Sequence, residues 1–211
     1  MSELDAIARF ARESIIEPDH IARARAHALE VGAAPISPGV GSQAAVIAAT
    51  TAATSIMEIG TGAGVSGLWL LHGAPNAVLT TIDKEPEHLG VARQFFHEAR
   101  IPAARARFIT GRALEVLPRM NEGSYDIVLV DADPENVIAY VEHGLRLVRA
   151  GGTVLIPRVL GGGRVADPVQ RDEVTRAYRS LIQEVQASPA VVGALSTVNE
   201  GLLQLTVLPE R

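Results

Sequence analysis

The sequence predicts an α/β protein built on a mostly parallel sheet with helices on both faces. Three observations predict it. Short apolar runs alternate with helical stretches between about residue 54 and residue 187, the pattern of strands joined by crossover helices. The first strand ends in Glu58, and glycines at alternate positions, Gly60, Gly62 and Gly64, lead straight into a helix. The chain closes on two strand-like runs, Val191 to Val198 and Leu202 to Leu208, separated by Asn199-Glu200-Gly201. That is hairpin spacing with glycine at the bend, and it adds one antiparallel strand to a parallel sheet.

Taken in order, residues 3–31 carry helical periodicity, with Leu4, Ile7, Ala8 and Ala11 at i, i+3, i+4 and i+7. Pro18 breaks it, and a second helix runs from Asp19, the expected N-cap, to Val31. Residues 32–41 form a Pro/Gly loop and 42–51 return to helix. Parallel strands fall at 54–59, 77–82, 105–110, 125–131 and 152–156, and helices at 65–73, 86–99, 112–120, 134–149 and 168–187. The fourth strand, Tyr125 to Asp131, is a near-continuous apolar run, as a strand covered on both faces requires. Asp167 before Pro168 reads as the N-cap of the last helix. The whole reads as one domain, residues 1–52 forming an N-terminal helical cap and 53–211 the core.

Composition sets the class. The chain has 211 residues, 47% hydrophobic and 20% charged, which suits a globular protein of one domain. A net charge of -5 leaves no basic footprint for nucleic acid. With no cysteine there is no thiol nucleophile, zinc–thiolate site or disulfide framework. The acidic N-terminus lacks the apolar core of a signal peptide, and no apolar run is long enough to span a membrane. A cytoplasmic location is expected. Lys84 is the only lysine, so a mechanism needing a lysine base depends on it.

Glycine tolerates positive φ and lets the backbone approach a ligand, so the turn at 60–64 marks a nucleotide-cofactor site. Asp83, ending the second strand, can accept hydrogen bonds from both ribose hydroxyls. Gly62 to Gly67 also satisfies G-x-G-x-x-G, with Asp83 at a suitable distance for NAD. Against an NAD-dependent oxidoreductase stand the first glycine at Gly60, the acid Glu58 at the strand end, and the C-terminal hairpin.

The chain resembles the small class I S-adenosylmethionine-dependent O-methyltransferases related to catechol and caffeoyl-CoA O-methyltransferases. The resemblance covers nearly all of it. It rests on Ile36-Ser37-Pro38 and Gly41, Met57 to Ser66, Thr81-Ile82-Asp83, Ala113 to Pro118, Tyr125 to Asp133 and Gly162 to Pro168. It implies a Rossmann-like seven-stranded sheet with an antiparallel last strand, in agreement with the hairpin. It implies that Glu58 and Gly60 to Gly64, Thr61 included, line the methionine and ribose part of the cofactor. Ser66 would meet the carboxylate, Asp83 the ribose, the Ala113 amide the adenine edge, and Asp131 the methionine amine. Val40, Lys84 and Arg112 complete the implied cofactor surroundings. A homodimer is implied too, with the hairpin at 191–208 as part of an interface.

The sequence departs from this family where the metal-dependent members hold a divalent ion. Their ligands are an Asp after the fourth strand, here Asp131, and an Asp-Asn pair after the fifth, here Pro157 and Arg158. Proline offers no side-chain donor and a guanidinium repels a cation. The lysine base common in the family falls at Pro134, and its tryptophan at Gly161. Asp131 and Asp133 alone offer too few oxygens for an octahedral site, so no metal is expected. Arg158 in the vacated place has two readings. It is a fixed cation that stabilises a phenolate or carboxylate acceptor, or it pairs with Asp131 or Asp133 as a structural filler.

Methyl transfer is an in-line displacement, so positioning and desolvation supply much of its acceleration without a metal. The catalytic candidates are Asp131, Asp133 and Arg158. Asp133, His20, His143 or water could serve as base. His72, His88 and His97 read as surface residues, and Arg9, Arg23 and Arg25 as a solvated basic face. The function expected is O-methylation of a small-molecule hydroxyl or carboxyl acceptor. The alternative is an S-adenosylmethionine-binding sensor that has lost catalysis.

Overall fold

The computed structural model describes residues 3–209. Met1, Ser2, Glu210 and Arg211, the ends of the expected domain, lie outside the described residues, as does the side chain of Leu4 in the expected helical stripe. Eight α-helices and seven strands follow one another among the described residues: α1 (Glu3–Glu13), α2 (Asp19–Glu30), α3 (Pro38–Thr50), β1 (Ser55–Ile59), α4 (Val65–Gly73), β2 (Val78–Asp83), α5 (Pro86–Glu98), β3 (Ala106–Thr110), α6 (Ala113–Val116), β4 (Tyr125–Val130), α7 (Val137–Leu147), β5 (Val148–Pro157), α8 (Glu173–Ala187), β6 (Val191–Ser196) and β7 (Leu202–Val207).

The strands make one sheet in the order β3-β2-β1-β4-β5-β7-β6. The first five are parallel, β7 runs antiparallel to β5, and β6 pairs antiparallel with β7. The hairpin therefore inserts its second strand into the sheet and leaves its first at the edge. The order reverses between β1 and β4, and a crevice opens at the carboxyl ends of the strands on either side of such a switch.

Side-chain alternation splits the core into two layers. Ile56 of β1 packs with Ile127 and Leu129 of β4 under α2, α3, α4 and α5. Met57 and Ile59 pack with Val128 and Val130 on the opposite face, under α7 and α8. Gly41 of α3 lies against Trp69 of α4: a Cβ there would stand 2.3 Å from Trp69 Cδ1.

Several boundaries differ from the sequence reading, each for a local reason. Asp19 is the first residue of α2 and Pro18 its N-cap, with no side-chain capping bond. The helix expected at 42–51 starts at Pro38, because the Ser37 hydroxyl accepts from the Val40 amide at 3.2 Å. The stretches at 112–120 and 134–149 each include a short 3₁₀ turn, Leu117–Arg119 and Pro134–Asn136. β5 begins at Val148, which pairs with Tyr125 across a register shift. The last helix starts at Glu173, where Asp172 accepts from the Thr175 amide at 3.0 Å and its hydroxyl at 2.7 Å. Asp167 bonds the Val169 amide within the preceding loop instead. Arg179 of α8 holds that loop out of the helix by donating to the carbonyls of Arg164, Val165, Asp167 and Gln170.

Candidate functional site

A cavity of about 750 Å³ occupies the switch point, at the ends of β1, β2 and β4. Its floor is the turn after β1. Gly60 sits at φ 96°, where a Cβ would stand 2.1 Å from the Asp131 carbonyl oxygen. Only glycine fits between the ends of β1 and β4 there, so the turn exposes bare backbone to the cavity. Gly64, at φ 85°, is the N-cap of α4 and lies against Phe96 and Ala92 of α5.

Asp83 ends β2 and is braced from both sides. Its Oδ2 accepts from the Gly62 amide at 2.8 Å and its Oδ1 from the Glu85 amide at 2.9 Å. Lone pairs remain on both oxygens toward the cavity, since a carboxylate has about four acceptor sites. His88 Nδ1 stands 3.7 Å from Asp83 Oδ1. His88 therefore lines the cavity, which corrects its reading as a surface residue.

At the other end lies Asp131. Burial pushes its carboxyl up to about 6, Arg158 opposes this and Glu200 reinforces it. Arg158 Nη2 donates to Asp131 Oδ2 at 3.2 Å and to the Ala34 carbonyl at 2.5 Å, and Nε lies 4.0 Å from Glu200 Oε2. Of the two acids offered as partners for Arg158, the pair forms with Asp131. One guanidinium thus ties together the end of β4, the loop between α2 and α3, and the β6–β7 turn. The donor set does not suit a divalent ion: Pro157 lacks a donor atom, and any cation beside Asp131 would face the Arg158 charge. Among the described residues no group of three or more His, Asp or Glu gathers to hold a metal ion.

Asp133 accepts from Tyr140 Oη at 2.8 Å and from Asn136 Nδ2. Burial raises its carboxyl, but the Asn136 and Tyr140 hydrogen bonds outweigh it and hold the group below its ordinary range. A carboxylate so satisfied is a weak base. Neither His20 nor His143 lines this cavity.

Of the residues singled out from the sequence, Gly60, Thr61, Gly62, Ser66, Asp83, Lys84, Arg112, Ala113, Asp131, Asp133 and Arg158 line the larger cavity. Val40, Glu58 and Gly64 do not. Val40 is buried in the α2–α5 layer. Glu58 shares the face of Ile56, two residues earlier, so its side chain turns beneath α4 rather than into the cavity. There it is fully buried; Thr81 Oγ1 donates to its Oε2 at 2.5 Å, and Oε1 has no hydrogen-bond partner among the described residues. Burial pushes the Glu58 carboxyl up to about 7 against the pull of the Ser66 and Thr81 hydroxyls. Thr61, which lines the cavity, reaches Glu58 through Thr81, the two hydroxyls 2.6 Å apart.

The cavity roof escaped sequence reasoning. It is the loop of Ala33, Ala34, Pro35 and Ile36, held by an arrangement centred on Glu17. Arg25 donates to the Glu17 carboxylate at 2.7 Å and to the Ile36 carbonyl, and Trp69 Nε1 donates to Glu17 at 3.2 Å. Arg25 is thus a structural anchor, not part of a solvated face: its side chain is 17% exposed. Ala34 acts through a carbonyl, which leaves no signal in a sequence. Asn136 and Tyr140 could have been found as the i+3 and i+7 neighbours of Asp133.

Comparisons with known proteins agree with this geometry. Residues 20–207 match the model of the O-methyltransferase family. A provisionally named O-methyltransferase of Mycobacterium sp. (strain JLS) is 42% identical over 203 residues, 96% of this chain and 92% of that protein. A Corynebacterium glutamicum protein of known structure superposes with a TM-score of 0.90 at 29% identity, over 100% of this chain and 99% of that one. The O-methyltransferase TomG from Streptomyces achromogenes, involved in tomaymycin synthesis and solved in complex with S-adenosylmethionine, superposes with a TM-score of 0.84 at 25% identity, over 99% and 100%.

Proposed function

This chain belongs to the O-methyltransferase family, and from that premise we propose that it transfers a methyl group from S-adenosylmethionine to an oxygen of a small molecule without a divalent metal. The observation that carries the reading is the cavity with an acid at each end of a bare-backbone turn. Asp83 offers carboxylate lone pairs where two ribose hydroxyls would sit. Asp131, raised to about 6 by burial, gains from a cationic amine beside it. Ser66, second residue of α4, lies where a helix N-terminus favours a carboxylate. The Ala113 amide, with Arg112 and Lys84, borders the end nearer Asp83. Val40, Glu58 and Gly64 act from behind, holding α3, the turn and α4 in place.

S-adenosylmethionine, when bound, supplies an electrophilic methyl group on a sulfonium. The protein's part is to bind, orient and exclude water. Arg158 stands in the wall between this cavity and a smaller one. Its Nη1 has no hydrogen-bond partner among the described residues and is available to an acceptor oxygen, lowering the energy of the anionic form. Asp133 orients Asn136 and Tyr140, and the acceptor proton leaves to water.

The protein is read as one domain, cytoplasmic and homodimeric. No helix among the described residues is long and apolar enough to cross a membrane. The edge strand β6 exposes Val192 and Leu195, which suits a contact with a second copy. Calorimetric titration tests the cofactor: S-adenosylhomocysteine binds and NAD does not. Binding of NAD alone would overturn the reading.

A further inference from the structure

Beside the cofactor cavity lies the smaller one, of about 270 Å³. The two share Asp131, Ala132, Asp133, Tyr140 and Arg158. An apolar cavity of about 150 Å³ holds a benzene molecule. The smaller cavity therefore has room for one substituted ring and little more. Its lining is polar and apolar in about equal parts: Pro134, Val137, Pro157, Val174 and Tyr178 supply apolar wall beside the charged groups.

The charges around this cavity are unequally committed. Asp131 is paired with Arg158, and Asp133 receives Asn136 and Tyr140. Glu200, 58% exposed, faces Arg158 across 4.0 Å. Arg164 is different. Among the described residues its one side-chain hydrogen bond is Nε to the Gly161 carbonyl at 3.3 Å, and it forms no ion pair with a described carboxylate. Asp172 feels its charge, but both Asp172 oxygens are engaged by Thr175 at the start of α8. With Nε turned to Gly161, the two Nη groups remain as a planar fork, the shape that receives a carboxylate.

The backbone that carries this fork is held in position. Three successive glycines, Gly161, Gly162 and Gly163, take φ values of 55°, 65° and 95° and carry the chain around the cavity rim. Arg179 then fixes the segment that follows. Its guanidinium donates to the carbonyls of Val165 at 2.9 Å, Gln170 at 2.6 Å, Arg164 at 3.0 Å and Asp167 at 2.5 Å. Charge-assisted bonds to four carbonyls from one rigid side chain order the loop and hence the Arg164 backbone.

We propose that the smaller cavity receives a one-ring hydroxylated aromatic acid, that Arg164 reads its carboxylate, and that Arg179 is the positioning residue that holds Arg164. The ring hydroxyl then points inward to Arg158 and the cofactor cavity, and the carboxylate outward to the rim. Without a divalent ion to chelate, one hydroxyl suffices and a vicinal pair is not required. The proposal rests on the methyltransferase reading above, and its test separates the two.

The probes are 3,4-dihydroxybenzoate, which offers two hydroxyl positions so that no ring register is presumed, and its methyl ester, which lacks the charge. The wild-type protein is expected to methylate the acid with kcat/KM about tenfold above the ester, as a charged hydrogen bond implies. Arg164→Gln brings that ratio to about one, through KM for the acid and with little change in kcat. Arg179→Lys moves it the same way, since an ammonium cannot span four carbonyls. S-adenosylhomocysteine affinity stays within about twofold in both variants, because neither residue lines the larger cavity. A merely structural role for Arg179 would lower turnover of acid and ester alike. Should Arg179→Lys fail to fold, Arg164→Gln, at an exposed position, carries the test. Equal use of acid and ester by the wild type, use of neither, or an unchanged preference in Arg164→Gln would overturn the proposal. Failure of S-adenosylhomocysteine to bind would overturn the methyltransferase reading instead. The acid's affinity for the protein alone, expected about tenfold weaker in Arg164→Gln, would still decide the Arg164 site.

Discussion

At Arg158 the backbone stands at φ 65°, and the guanidinium reaches Asp131 at 3.2 Å and the Ala34 carbonyl at 2.5 Å. A left-handed non-glycine residue costs about 1–2 kcal/mol, and such strain persists where the surroundings over-determine it. Here the surroundings are three chain segments and two acids. Arg158→Gln removes the charge and keeps the backbone bond from the Arg158 amide to Gly201. Turnover of 3,4-dihydroxybenzoate at saturating S-adenosylmethionine is expected to fall about 10- to 100-fold, the size of losing a preorganised donor to a developing anion. Turnover kinetics decide it; an unchanged kcat would leave Arg158 as an ion-pair partner of Asp131 only. That Arg158 could pair with Asp131 or Asp133 was legible in the sequence. The capture of Asp133 by Tyr140 and Asn136 was missed: their i+3 and i+7 spacing was there to read, and the 3₁₀ turn at Pro134–Asn136 brings both to one side.

Among the elements, β1, β4 and β5 are fastened at their starts by one carboxylate. Asp126 Oδ2 accepts from the Thr54 amide at 2.7 Å, the Thr54 hydroxyl at 2.9 Å and the Ser55 amide at 2.9 Å, and Oδ1 from Arg149 Nε at 2.6 Å. Burial raises this carboxyl, but the Thr54 and Ser55 amides, the Thr54 hydroxyl and Arg149 outweigh it and bring it down to about 2. A depressed carboxylate contributes stability above its ordinary pKa and loses it as pH falls toward the depressed one. Asp126→Asn is expected to cost about 2 kcal/mol at neutral pH. Urea unfolding at pH 7 and pH 3 checks this, with the gap between variant and wild type narrowing at the lower pH. A gap of the same size at both would remove ionisation from the account. The strands were readable from their apolar runs, and the start of α8 was not. Asp167-Pro168 and Asp172 are both acceptable caps locally, and four carbonyl bonds from Arg179, nearly two turns inside the helix, select the second.

Across the molecule, two acids near its centre are held protonated-leaning by burial, Glu58 at about 7 and Asp131 at about 6. A carboxyl whose folded pKa exceeds its unfolded value binds protons more tightly when folded. Stability therefore falls as pH rises from the ordinary carboxyl range to about 7. The ligand-free protein is expected to melt lower at pH 8 than at pH 5. Glu58→Gln removes about 1–3 kcal/mol of that slope, and melting temperatures across pH 5–8 measure it. Parallel profiles for wild type and Glu58→Gln would sink the assignment. Asp126 and Asp133 work in the opposite sense, but below the ordinary carboxyl range, outside this interval. The sensitive acids lie where a cationic ligand would sit or beneath it, so ligand binding is expected to flatten the profile.

By itself the sequence determined the sheet, its five parallel strands and closing hairpin, the glycine turn, and the acids at Asp83 and Asp131. These follow from period-two and helical patterning and from backbone positions that only glycine fills, all of which are local. The tertiary structure alone decided which side of a strand end faces the cavity. It turned Glu58 under α4, brought the Ala34 and Ile36 carbonyls over the cavity through Glu17 and Arg25, and placed Arg164 at the rim through Arg179. Those contacts join residues far apart in the chain and often use backbone carbonyls. A carbonyl is present at every residue, so no choice of side chain records which one will be used.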